Sequence, residues 1–230
     1  MTVSNIVISD RALKRVLEEN VGEGLTAEKL ATITELNANH RGIESLGGLE
    51  YSTSLRIARF AGNQIMNVFP LVSLGNLSEL DLSHNQKTKY RETGRYEEAF
   101  SEVDKQRDAD VMGAAVNARW PVSEPYTVYF GTDAYSEDMV FLSKLVHLTR
   151  LELADNGIST MIPFLMLHKI RYLDLRNNKI EDIGPLLFHP GLGGLTVDLR
   201  GNPFAQKPRM DLLHILHRLR DKQAEIQYEV

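Results

Sequence analysis

LTRLELADNGISTMIPFLMLHK (148–169) runs directly into IRYLDLRNNKIEDIGPLLFHPG (170–191), and LTVDLRGNPF (195–204) closes the run. The first two blocks match at an offset of 22: Leu148 with Ile170, Leu151 with Leu173, Leu153 with Leu175, Asn156 with Asn178, Ile158 with Ile180, Pro163 with Pro185. A fixed period of this size marks a solenoid, in which each repeat buries its apolar side only by stacking on its neighbours. The L-x-L core of each block is a short strand. Its two leucines point into the core, and the residue between them points to the opposite face.

The period extends towards the N-terminus. Residues 55–76 fit it well, with Leu55, Ala58, Phe60, Asn63, Ile65, Val68, Pro70, Leu71 and Leu74 in place. Residues 33–54 fit as a degenerate first repeat, with Leu36, Ala38, Ile43 and Leu46 in place and Arg41 where Asn is expected. A third repeat begins at residue 77 and stops at Asn85, because Lys87 stands where an isoleucine is due. Asn63, Asn85, Asn156, Asn178 and Asn202 occupy the turn after each strand. An Asn side chain carries an acceptor and two donors, so it can pair with backbone groups that have left the strand ladder. Left buried and unpaired, those groups would cost about 1–3 kcal/mol each.

The ends of a solenoid expose core and need caps. Residues 1–32 read as a helical N-terminal cap, with Asp10 as the N-cap of a helix that buries Leu13, Val16 and Leu17, and a further turn after Thr26. Residues 33–85 are the first repeats, 139–205 the regular repeats, and 206–230 a C-terminal cap with Met210, Leu212, Leu213, Leu216 and Leu219 as its apolar stripe. The final EIQYEV alternates and reads as an added edge strand. Residues 86–138 interrupt the period by some 49 residues. They read as an irregular insertion with two short helices and a degenerate repeat strand, YTVYFGTDAY, placing Val128 and Phe130 inward and Tyr129 outward.

The motifs NKIEDIGPL, NQIMNVFPL and NGISTMIPF, together with the N-terminal stretch from Asp10 to Tyr51, resemble bacterial leucine-rich repeats of the internalin type, within the 22-residue SDS22-like class. The resemblance covers roughly residues 8–85 and 139–205. It implies a right-handed leucine-rich repeat solenoid with parallel strands on the concave face, and a protein-binding role without catalysis. With the helical caps and the helical insertion read from the residues, the expected fold is an α/β leucine-rich repeat solenoid capped at both ends, and the mid-solenoid insertion is its departure from the family pattern. The chain length fits a single domain.

Composition agrees with that implication. Net charge is −5 with 25% charged residues, so there is no basic footprint for nucleic acid. No apolar run of about 18 residues would span a bilayer. The absence of cysteine excludes disulfides, thiolate zinc sites and cysteine nucleophiles. No phosphate-cradling loop, GxSxG elbow or HExxH motif occurs, so neither a cofactor nor an enzyme activity is expected. His147, His168 and His189 recur every 21 residues and drift against a 22-residue period, and His214 and His217 lack an acidic third ligand, so no metal site is expected. The start MTVSNIVISD has no signal-peptide core, which suggests a cytoplasmic location, or a secreted or surface-attached one if a signal has been removed.

Outward strand positions define the candidate binding face. The middle column is Asn37, Arg59, Asp81, Tyr129, Glu152, Asp174 and Asp198, flanked by Tyr172 on one side and by Arg176 and Arg200 on the other. Four stacked carboxylates would repel one another, which makes this column a candidate surface for a protein partner with a basic face. Arg59, Asp81, Tyr129, Glu152, Tyr172, Asp174, Arg176, Asp198 and Arg200 are the candidate contacts. Tyr96, Phe100 and Trp120 of the insertion are weaker candidates. The expected function is a non-catalytic, monomeric protein-interaction module. The alternative is a regulatory subunit or inhibitor of an enzyme, acting through residues 86–125.

Overall fold

The structure, a computed structural model, describes residues 5–65, 68–85, 144–206 and 209–229. Among these, seven three-residue strands form one parallel sheet in chain order: β1 (Glu35–Asn37), β2 (Ile57–Arg59), β3 (Glu79–Asp81), β4 (Arg150–Glu152), β5 (Tyr172–Asp174), β6 (Thr196–Asp198) and β7 (Glu225–Gln227). The expected leucine-rich repeat solenoid is the fold. Behind the strands, short 3-10 turns return the chain at Leu49–Tyr51, Phe69–Leu71, Ile162–Met166 and Gly184–Phe188. Pro70, Pro163 and Pro185 sit in the first turn of theirs, where a missing N–H costs nothing.

One continuous apolar core lies between sheet and turns. Leu36, Ala58, Leu80, Leu151, Leu173 and Val197 fill it from the strands, and Leu49, Leu71, Phe164 and Leu186 from the back. β1 to β4 alternate in burial as the L-x-L pattern requires, with the middle residue buried, whereas β5 and β6 bury their final aspartate as well.

The asparagine ladder forms as the spacing predicts. Asn178 is typical: its Oδ1 accepts from the backbone N–H of Asn156 (3.1 Å) and Ile158 (2.9 Å), one rung back. Its Nδ2 donates to the carbonyls of Leu153 and Leu175, both at 2.9 Å. Asn63 makes the same four bonds, its Oδ1 accepting from Arg41 and Ile43. Arg41 therefore needs no ladder amide of its own, because it opens the ladder.

The caps close both ends. The N-terminal cap holds α1 (Arg11–Val21) and α2 (Ala27–Leu30). One oxygen of Asp10 accepts from the N–H of Ala12 and Leu13, and the other from Glu44 and Ser45, so a single carboxylate caps α1 and pins it to the first repeat. At the other end α3 (Arg209–Asp221) leads into β7, the expected edge strand. Of the expected stripe, Leu219 is fully buried and Leu212 and Leu216, with Ile215, pack on the core, but Leu213 faces solvent, and the side chain of Met210 lies outside the described residues. Positions 212, 215, 216 and 219 follow helical periodicity, and 213 lies round the helix from them.

The interruption also differs from expectation. β3 pairs directly with β4, Asp81 beside Glu152, with Leu82 N–H bonding to the Glu152 carbonyl at 2.9 Å. Asn85 donates its backbone N–H to Asn156 Oδ1 across 71 residues, the same bond that joins Asn156 to Asn178 across 22. Two hydrogen-bonded parallel strands leave no gap between them, so the expected rung carrying Tyr129 between Asp81 and Glu152 is not there. Tyr129 itself, like Tyr96, Phe100 and Trp120, lies outside the described residues.

Two outcomes follow. Asn178→Leu strips partners from two N–H and two carbonyl groups and should cost about 3 kcal/mol or more in urea unfolding, against under about 0.5 kcal/mol for exposed Lys169→Ala. Replacing residues 86–138 with a copy of Gln64–Asn67 restores an unbroken 22-residue period. That variant should unfold cooperatively by circular dichroism with Tm within about 8 °C of the parent, roughly a 2 kcal/mol change.

Candidate protein-binding face

The strand register assembles the outward positions into columns. The middle column reads Asn37, Arg59, Asp81, Glu152, Asp174, Asp198 and Gln227. One flank reads Glu35, Ile57, Glu79, Arg150, Tyr172, Thr196 and Glu225. Apart from the Tyr129 rung and the addition of β7, these are the columns the period predicts.

What the columns present to solvent is not what the sequence suggests. Asp174 and Asp198 are 0% and 1% exposed. Each carboxylate turns along its own strand and accepts the N–H two residues on, Arg176 at 3.0 Å and Arg200 at 3.2 Å; Asp81 does the same for Ser83 at 2.9 Å. The Asp of L-D-L thus satisfies a backbone donor that the strand leaves free. The arginine side chains then fold over these carboxylates. Arg176 grips Asp174 through Nε (2.9 Å to Oδ1) and Nη2 (2.6 Å to Oδ2), and Arg200 grips Asp198 in the same manner at 2.9 and 2.5 Å. Arg176 Nε also lies 3.5 Å from Asp198 Oδ2, linking the two pairs. The expected exposed column of four carboxylates is therefore corrected: two of the four are buried beneath guanidinium groups.

A third arginine joins from the other flank. Arg150 lies over the Tyr172 ring, its Cζ 4.0 Å from the centroid, and donates to Glu152 at 2.8 Å. Arg150 was not a candidate contact, yet its position one rung from Tyr172 was readable in the 22-residue offset. Towards the N-terminus the face changes character. Glu35 is exposed, and Glu79 and Asp81 are half-buried with Arg59 between them.

The pairing shows in the acid–base behaviour. Burial alone would raise Asp198, but the side-chain and backbone hydrogen bonds from Arg200 outweigh it and hold the carboxyl below its ordinary value. The Asp174 hydrogen bond holds Arg176 protonated beyond the usual guanidinium range. Burial, then the Asp174 charge, pushes the Tyr172 hydroxyl up. Away from this face, burial pushes His189 below its ordinary value, with its Nδ1 accepting from Gly191 N–H at 3.0 Å. His189 is buried while His147 and His168 are exposed, so the three do not converge. Among the described residues no group of three or more His, Cys, Asp or Glu is placed to hold a metal ion, and no helix is long and apolar enough to cross a membrane.

One match to a family model agrees with the repeat architecture, and several solved structures are similar. A family model described as Leucine Rich repeats (2 copies) matches residues 146–187. Internalin C2 of Listeria monocytogenes is similar over 100% of this chain and 99% of its own, at 18% identity and a TM-score of 0.45. Internalin InlF of the same organism is similar over 97% of this chain and 65% of its own, at 20% identity and a TM-score of 0.43. The functional domain of InlJ, also from that organism, is similar over 95% of this chain and 58% of its own, at 16% identity and a TM-score of 0.32. No curated protein matches the sequence. The fold rests on the seven-strand ladder itself and on the repeat match.

The pH dependence of stability has a definite sign. Both His189 and Asp198 titrate lower in the folded chain than at their ordinary values of 6.5 and 3.8. The unfolded chain therefore takes up protons first, so stability holds above pH 6.5 and falls as pH drops below it, then falls again as pH drops from 3.8 through the lowered Asp198 value. Urea midpoints against pH should show both steps. His189→Asn should flatten the upper one and Asp198→Asn the lower.

Proposed function

We propose that this chain is a non-catalytic protein-binding module whose open sheet face is the docking surface. Leucine-rich repeat scaffolds in general bind protein partners, and the observation that favours this face is its order before any partner arrives. Its side chains are held by one another within and between repeats: Arg176 on Asp174, Arg200 on Asp198 and Arg150 on Glu152 within one repeat each, and Arg176 on Asp198 and Arg150 on Tyr172 across neighbouring ones. Ordering a long side chain on binding costs about 0.5–1.5 kcal/mol, and here that ordering is built into the fold. Strands of three residues stacked about 4.8 Å apart spread these positions over a broad surface on a rigid frame.

The cysteine-free sequence permits a direct test. A single cysteine at Arg59 lies on the open face, and one at half-exposed Met166 lies on the far side of the core. Each variant is coupled to polyethylene glycol maleimide and used for affinity capture from the protein's native source. Coupling at residue 59 should abolish capture of a partner that the coupling at 166 leaves in place. Equal capture by both would overturn the open-face reading. The variant with residues 86–138 replaced then shows whether that segment, rather than the sheet, carries the contact.

A further inference from the structure

The open face is not uniform, and its two parts suit different chemistries. On β1–β3 the charged groups reaching solvent are Glu35, Glu79 and Asp81, with Arg59 among them. On β4–β6 the formal charges balance, three arginines against Glu152, Asp174 and Asp198. Exposure does not balance. The side chains of Arg176 and Arg200 are each 44% exposed and that of Arg150 42%, while those of Asp174 and Asp198 are 1% and 2% and that of Glu152 is 28%. A partner approaching β4–β6 meets guanidinium groups, with the compensating carboxylates beneath them.

The guanidinium geometry sharpens the point. Arg176 and Arg200 use Nε and Nη2 on their aspartates, and among the described residues neither Nη1 donates a hydrogen bond. A guanidinium carries five N–H donors in a planar fork, so an edge of each remains available. The two arginines sit on neighbouring rungs, Asn177 N–H bonding to the Arg200 carbonyl at 2.9 Å, so their forks lie side by side. Tyr172, under Arg150, supplies an aromatic floor on the opposite flank. Glu229, just past β7, acts on the charge of Arg200.

We propose that β4–β6 form a docking site for an acidic segment of a protein partner, with carboxylates received by the paired forks of Arg176 and Arg200 and a further one by Arg150. Carboxylate and guanidinium match as planar two-point partners. The buried aspartates hold the forks in place, so binding does not have to order them, and they temper the attraction so that the site selects carboxylates in an extended array rather than any single anion. This proposal rests on the open face being the docking surface, and it inverts the preference for a basic partner that the Asp-rich column suggests.

The test uses the full chain with hexaglutamate and hexalysine as probes, followed by the ¹⁵N NMR resonances of the arginine Nε–H groups and the backbone amides. Hexaglutamate should shift the Nε–H signals of Arg176, Arg200 and Arg150 saturably, weakening as salt is added, and hexalysine should not. Arg176→Gln with Arg200→Gln should weaken hexaglutamate at least about tenfold, the loss of roughly one charge-assisted contact. Backbone amide shifts report whether that variant keeps its fold. Arg200→Lys, which keeps the charge but loses the fork, should weaken binding by a smaller factor. The proposal is overturned if hexaglutamate leaves these signals unmoved, if hexalysine binds over β4–β6 instead, or if the double variant binds hexaglutamate as the parent does. Should the polymer at residue 59 block partner capture while hexaglutamate fails to bind, the open face stands as the docking surface and only its acidic preference falls.

Discussion

The buried carboxamide of one asparagine per repeat is the interaction on which the rest of this structure depends. A solenoid rung must leave its strand after three residues and turn inside the core, where water cannot satisfy the backbone. Each ladder Asn bonds the strand end of its own repeat and that of the repeat before. The ladder thus fixes two things together: where each strand stops, and how far it sits from its neighbour. With neighbours fixed, the apolar residues of successive rungs meet in register, and the core from Leu36 to Leu199 follows. The turn just before each ladder position is left-handed, at His40, Gly62, His84, Asp155, Asn177 and Gly201, which aims each amide back along the solenoid.

The same constraint shapes the open face. A strand that ends after three residues leaves a free N–H two residues past its middle column, and a short carboxylate in that column reaches it. Asp81, Asp174 and Asp198 therefore serve the backbone first. Glu152, one methylene longer, makes no such bond and instead takes Arg150. Once Asp174 and Asp198 are drawn down, burying them needs a cation above each, and Arg176 and Arg200 supply it. The charge pattern presented to a partner is a consequence of how the strands end.

This is why the fold was legible in the sequence and the site only partly so. A 22-residue offset of Leu, Asn, Ile and Pro carries strand positions, turns, ladder and core, because those depend on spacing alone. Asp10 was readable as a cap for the same reason: a short acceptor before an apolar helical stripe. Spacing also placed Asp174, Arg176, Asp198 and Arg200 in adjacent columns. It did not carry their rotamers, and a carboxylate aimed outward differs from one aimed along its strand only in torsions about single bonds. The misplaced Tyr129 rung has another cause. Its strand pattern is weak, and the extra 49 residues, the 71 between Asn85 and Asn156 less the 22 of one rung, are not a whole number of periods, so their length gives no support to a further rung. Leu213 was misassigned because a Leu-rich helix offers two overlapping stripes, and docking on the core selects the one ending at Leu219.

A parallel solenoid is unusually tolerant of such a departure. Its stability is close to a sum of rung and neighbour contributions, so what matters is that β3 and β4 touch, not how far apart they lie in the chain. The entropic cost of closing a longer connection rises only with the logarithm of its length, about 0.6 kcal/mol for each doubling. The 71-residue step from Asn85 to Asn156 therefore weighs little against the hydrogen bonds and core contacts that join those rungs. Its place is informative all the same. The departure falls between β3 and β4, the boundary at which the open face passes from the exposed or half-buried carboxylates around Arg59 to guanidinium groups lying over buried aspartates. One continuous ladder thus carries two chemically distinct half-faces, and under the docking proposal a partner that spans both would match them with charge in two blocks, basic towards β1 and acidic towards β6. A partner patterned in that way would be selected by the arrangement of its charges along the sheet rather than by its net charge, which is what a face with balanced formal charge over β4–β6 can still discriminate.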